Sequence, residues 1–109
     1  MIMHVVLFQP RPDLDTDARK QLLDALSMAA KEIPSIRRFR VGPRIFHRLP
    51  GYEQAMIDSY DYGLIVEFDN RAGLLEYLKH PAHQTIGRHF TASAQRALAY
   101  DYEMTDVER

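Results

Sequence analysis

The sequence predicts an α+β fold of the split β-α-β, or ferredoxin-like, kind, with an antiparallel sheet. Three observations carry that expectation. Runs rich in β-branched and aromatic residues fall at 2–8, 36–47, 62–68 and 97–103; helical patterns fill 15–33 and then 71–78 with 81–94; and no repeat or low-complexity stretch interrupts the order β-α-β-β-α-β. A chain of 109 residues, 46% hydrophobic and 27% charged, suits one such domain over residues 1–109 with a single core.

Each element has its own reason. Residues 2–8, IMHVVLF, read as a buried strand that stops at Pro10 and Pro12. On a period of two, Ile2, His4, Val6 and Phe8 share a face, which sets a histidine on an otherwise apolar surface. A histidine hydrogen-bonded near a sheet margin accounts for it without any further role. Residues 15–33 read as a helix that Asp15 or Thr16 caps, Asp17 favours through the dipole, and Pro34 ends. Leu22, Leu26, Ala29 and Ile33 form its apolar stripe, which Met28 widens.

In residues 36–47, Phe39, Val41 and Ile45 alternate with Arg38, Arg40 and Arg44, as in a strand with one solvated face and a bend at Gly42-Pro43. Such arginines either clamp an anion or guard a sheet edge, and the second use is commoner. Arg37 falls on the opposite side, so the set is not one patch. Residues 49–61 carry a Pro-Gly turn signal and read as a loop, 62–68 (YGLIVEF) as the third strand, and 97–103 (ALAYDYE) as the last. A sheet with helices on one face leaves the other bare. A second copy covers it most simply, so a homodimer is expected.

Several function classes lose their support. Fourteen basic against fifteen acidic side chains, a net charge of −1, argue against a general nucleic-acid binder. With no cysteine, disulfides, thiolate nucleophiles and cysteine zinc sites are excluded, and nothing points to an oxidising compartment. The apolar run Ile2–Phe8 lacks a basic leader and a cleavage site and is too short to span a bilayer, so no membrane role is expected and the cytoplasm is the expected compartment. No P-loop, Rossmann glycine pattern or nucleophile elbow is present.

The stretch YLKHPAHQTIGRHF, residues 77–90, holds three of the five histidines. Pro81 suits the first position of a helix, which puts His80 at the N-cap and His83 in the first turn. Two histidines at this spacing could chelate, but zinc needs further ligands, no HExxH is present, and His4 or Asp101 would have to come from distant strands; no metal is expected. Acid–base chemistry is the alternative. The positive end of the helix dipole disfavours imidazolium, so His83 would stay neutral near pH 7, as a general base must. Its other nitrogen needs an acceptor, and a phenol nearby would serve a developing oxyanion. Tyr77 lies across the break at Pro81, so helix spacing does not place it. First-turn histidines also often serve local hydrogen bonds alone, and spacing leaves both readings open. His89 is expected to face solvent, His47 has no evident partner, and Tyr60, Tyr62, Tyr100 and Tyr102 suit sheet packing or dimer contacts better than chemistry.

Four segments together, M-H-V-V-L-F, G-L-I-V-E-F, Y-L-K-H-P-A-H and A-Y-D-Y, resemble the stress-responsive A/B barrel domain (Dabb) family over roughly residues 3–103. The resemblance implies a dimeric α/β barrel of ferredoxin-like subunits. Similarity to the family's plant polyketide cyclase implies an intramolecular aldol condensation that uses no cofactor and no metal. It assigns catalysis to His83 and Tyr77, with Asp101 supporting His83. It also implies a substrate cavity lined by His4, Val6, Leu64, Leu78, Ile86, Ala97 and Ala99. Ala94, Ala97 and Ala99 stand where that cyclase has larger side chains, and loop 49–61 is longer, so a different pocket shape is expected. The ligand implied is a carbonyl-containing, polyketide-like small molecule. Two other functions fit the same resemblance: a noncatalytic stress-response or ligand-binding dimer, and a cofactor-free monooxygenase.

Overall fold

The computed structural model describes residues 1–109. The order is β1 (Ile2–Pro10), α1 (Thr16–Glu32), β2 (Arg38–Pro43), β3 (Tyr62–Phe68), α2 (Arg71–Lys79), α3 (Pro81–Ser93) and β4 (Ala94–Glu103), with one 3-10 turn at Glu53–Ala55. The strands form one antiparallel sheet in the order β2-β3-β1-β4. This is the ferredoxin-like α+β arrangement expected. No helix is long and apolar enough to cross a membrane.

Register fixes which side chains meet. In the centre of the sheet Ile2 pairs with Phe68, His4 with Val66 and Val6 with Leu64, all facing the helices. Onto them pack Leu22, Ala25, Leu26 and Ala29 of α1, Leu74 and Tyr77 of α2, and Ala82 and Ile86 of α3. Asp15 caps α1 by accepting from the Ala18 amide at 2.7 Å, and Asn70 caps α2 in the same way through Gly73. Where α2 ends, His80 begins α3: its Nδ1 accepts from the Ala82 amide at 3.0 Å, with Pro81 in the first helical position.

Two boundaries differ most from expectation. β2 stops at Pro43 instead of running on to residue 47, because proline has no amide to continue the ladder and the last tie is Arg44 N–H to the Asp61 carbonyl. β4 starts three residues early, at Ala94, which pairs with Pro10 after a shift in register at Gln9. The loop also gains its 3-10 turn: the Glu53 carboxylate accepts from the His47 and Arg48 amides, and Gly51, at φ 79°, donates to Gln54.

The opposite face of the sheet carries no helix. Leu7 and Leu98, Val5 with Ile65 and Tyr100, and Met3 with Tyr102 form cross-strand sets there. Leu7, Ile65, Leu98, Tyr100 and Tyr102 are all exposed. On edge strand β2, Arg38 and Arg40 bracket the buried Glu67 carboxylate at 3.8 and 3.4 Å. Arg37 turns away to Asp69, so these arginines are not one patch.

Candidate active site

β1, α2, α3 and β4 bring four polar side chains to one corner of the core. Tyr77 sits on the last turn of α2, facing inward and 1% exposed. The cap at His80 turns the chain and returns His83 beside it, with ring centroids 4.6 Å apart. His4 approaches from β1, at 5.5 Å from the Tyr77 ring and 6.4 Å from the His83 ring. Asp101 lies directly across from His4 in the β1–β4 register. The corner therefore joins segments far apart in the chain, which spacing within one helix could not show.

Asp101 has a different partner from the one expected. Its Oδ1 stands 2.6 Å from Nδ1 of His4, not of His83. Cross-strand pairing puts His4 and Asp101 side by side, while His83 approaches from the helix layer. A carboxylate only accepts, so the His4 Nδ1–H is the donor. The Leu78 backbone instead lies close enough to His83 to favour its charged form.

The electrostatics set Tyr77 apart from His83. Burial pushes the Tyr77 phenol well above its ordinary value, and the Asp101 charge adds to this. It remains protonated across the physiological range and so keeps a hydrogen to donate. The Tyr77 hydroxyl joins no hydrogen bond within the chain, yet no buried side-chain polar atom is left sealed and unpartnered. That hydroxyl therefore reaches the small part of the residue that remains accessible. Burial also lowers the His83 pKa, and His4 adds to the effect; the Leu78 backbone and Asp101 oppose it. His83 is thus neutral at pH 7, able to take a proton.

A stability consequence follows. His83 binds its proton more weakly folded than unfolded, so folding loses stability as pH falls below the ordinary histidine value of about 6.5 and on through the lowered folded value. Replacing His83 with glutamine should flatten this part of the stability profile. Urea midpoints measured between pH 7 and 5 should show the flattening; parallel profiles for both proteins would remove the shift from the account.

The expected substrate residues lie in different surroundings. Val6 and Ile86 are core side chains. Leu78 lines an open groove of about 690 Å³ with His83, Gln84, Gly87 and Arg88. Ala97 and Ala99 lie on the helix side of β4, on the same face as Asp101, and all three are exposed because the helices do not extend over this edge strand. His4 is 6% exposed. Leu64 lines a separate apolar cavity toward the far end of β1. No three histidine or acidic groups are placed to hold a metal ion.

Comparison with known proteins places this geometry. The family model for the stress responsive A/B barrel domain, Dabb, matches residues 2–104. Among solved structures, hydroxynitrile lyase from Passiflora edulis superposes with a TM-score of 0.82 at 12% identity, over 99% of this chain and 96% of that one. A dimeric ferredoxin-like protein of unknown function from Jannaschia sp. has a TM-score of 0.72 at 27% identity, over 94% and 98%. A Dabb family protein with a ferredoxin-like fold from Mesorhizobium loti has a TM-score of 0.72 at 21% identity, over 96% and 97%. No curated protein matches the sequence. By the extent of the family match and the fold it shares, the chain belongs to the stress responsive A/B barrel domain family.

Proposed function

We propose that this protein is a cofactor-independent enzyme that enolises a carbonyl-containing small molecule, with His83 as general base and Tyr77 as donor to the enolate oxygen. The observation that carries the reading is the Tyr77 hydroxyl, protonated, without a partner in the chain, and beside a neutral imidazole at 4.6 Å between ring centroids. A phenol used only for packing would be expected to satisfy its hydroxyl locally.

The steps balance in protons. His83 removes a hydrogen α to a carbonyl, and Tyr77 hydrogen-bonds the oxygen as charge builds on it. In a poly-β-keto chain the enolate carbon then attacks a second carbonyl of the same molecule, forming the carbon–carbon bond. The resulting alkoxide takes the proton back from the His83 imidazolium. The His4–Asp101 pair supplies a fixed polar wall, and the groove at Leu78 and His83 gives access. Incubation with poly-β-keto thioesters should yield cyclised product without oxygen uptake. Oxygen consumption with a phenolic substrate would instead support a cofactor-free monooxygenase. Unchanged biological effect after His83→Ala would favour a noncatalytic ligand-binding dimer.

The bare sheet face supports a homodimer, as does the description of the Jannaschia neighbour as dimeric. Two copies would close it into a barrel over Leu7, Ile65, Leu98, Tyr100 and Tyr102. Ile65→Glu places a charge at the centre of that face and should convert a dimer to a folded monomer in sedimentation. A monomeric wild-type protein at micromolar concentration would contradict the assembly.

A further inference from the structure

The loop between β2 and β3 is built for more than connection. Residues 44–61 carry one short turn and exceed the roughly 12–15 residues beyond which a surface connection is uncommon unless it has a task. Hydrogen bonds fix both its tip and its base. At the tip, the Glu53 carboxylate accepts from the His47 and Arg48 amides, Gly51 donates to Gln54, and the His47 and Tyr52 rings meet at 5.7 Å. At the base, the Arg44 N–H donates to the Asp61 carbonyl, and the Gln9 side chain donates to the Asp61 carboxylate at 3.0 Å. Arg96 reaches Asp58 at 3.3 Å, the Ser59 carbonyl at 2.7 Å and the face of the Tyr60 ring.

Holding a loop in one conformation has an entropic cost that burial normally offsets. Here that burial is missing: Ile45, Phe46, Leu49, Tyr52 and Met56 are exposed, and Ile57 is wholly so. The loop's carboxylates are all occupied within the chain, Glu53 by amides, Asp58 by Arg96 and Asp61 by Gln9, so the apolar side chains are what is left uncovered. An ordered apolar patch of this kind marks a contact surface. Its position says which contact. Gln9 and Arg96, which hold the base, are cross-strand partners on the sheet face that carries no helix. On that face Met56, Asp58 and Tyr60 line one groove of about 670 Å³ together with Met3, Leu7 and Ile65. The loop is therefore continuous with the surface that a second copy covers in the homodimer. In a twofold pair each copy offers the same loop and the same face, so one favourable contact occurs twice. We infer that residues 44–61 are a clasp: in the homodimer the loop of each copy lies against the other, with Tyr52, Met56 and Ile57 buried at the contact. The clasp rests on the homodimer reading.

Sedimentation equilibrium and hydroxyl-radical footprinting test it together. Ile57→Ser changes a wholly exposed position, so it should fold normally. It should raise the dimer dissociation constant about tenfold or more, because one apolar side chain is lost from each copy. Footprinting needs no change in the loop. Labelling of Tyr52, Met56 and Ile57 should fall severalfold in the wild-type dimer, relative to the Ile65→Glu variant or to wild type diluted to monomer. A wild-type protein that stays monomeric would remove the homodimer and the clasp together. An unchanged dissociation constant in Ile57→Ser, or equal loop labelling in dimer and monomer, would overturn the clasp and leave the homodimer standing. Protection that appears only on adding phosphatidylcholine–phosphatidylglycerol vesicles would assign the loop to a lipid surface and overturn the clasp as well.

Discussion

Replacing His83 with alanine should lower turnover of a carbonyl substrate by about 10²–10⁴, the usual range for a general base. The thermal midpoint should scarcely move, because the ring is only half-buried and its removal opens no sealed cavity. Tyr77→Phe is the matched experiment. It keeps the ring against Phe68, at 5.2 Å, and Phe39, at 6.5 Å, and removes only a hydroxyl that has no partner in the chain. Stability should therefore be preserved while the rate falls about 10²-fold or more, as when one oxyanion donor is lost. Asp101→Asn should cost less than either, since its carboxylate meets His4 and not the base. Rate constants and urea midpoints for the three variants check the scheme. If activity and stability fall together in His83→Ala, the residue is structural. If Asp101→Asn is the most damaging change, the base is His4.

The largest stability loss is expected at a residue without chemistry. Phe68 is fully buried at the end of β3, pairs with Ile2 across the sheet and packs against Tyr77. Phe68→Ala should cost about 3–5 kcal/mol, through lost burial and the cavity left behind. A domain of this size has about 5–15 kcal/mol in total, so the variant should be near the edge of folding. Chemical denaturation should show it; a loss under about 1 kcal/mol would mean that the core rearranges around the site far more easily than its close packing implies.

The residue patterns anticipated the layers better than the site. β3 was bounded correctly because YGLIVEF is a β-rich run between turn signals, and α1 because Asp15 and Pro34 punctuate it. Period-two alternation put Ile2, His4, Val6 and Phe8 on one face, as the register has them. The last strand begins before its pattern predicts because Ala94, Gln95 and Arg96 lack β character; pairing with the end of β1 recruits them. The partner of Asp101 is hidden from the sequence for a different reason. Which histidine it meets depends on strand register between residues 97 positions apart, and that information is in neither segment alone. Tyr77 and His83 meet because His80 and Pro81 cap and redirect the helix; the cap is legible in H-P-A-H, whereas the meeting across it is not. The shape of the apolar cavity at Leu64 is not legible, because a void is a property of packing between elements and not of any one of them.

The claim at the centre of this account is that His83 takes a proton from carbon while Tyr77 holds the oxygen. Enolisation comes before any product-specific step, so it can be measured without knowing the natural substrate. A β-keto thioester in deuterated water, followed by proton NMR, should lose its α-hydrogen signal faster with the wild-type protein than in buffer alone. His83→Ala should return the exchange to the buffer rate, and Tyr77→Phe should slow it strongly. Exchange that is no faster than buffer across a panel of such thioesters, or equally fast with His83→Ala, would contradict the assignment.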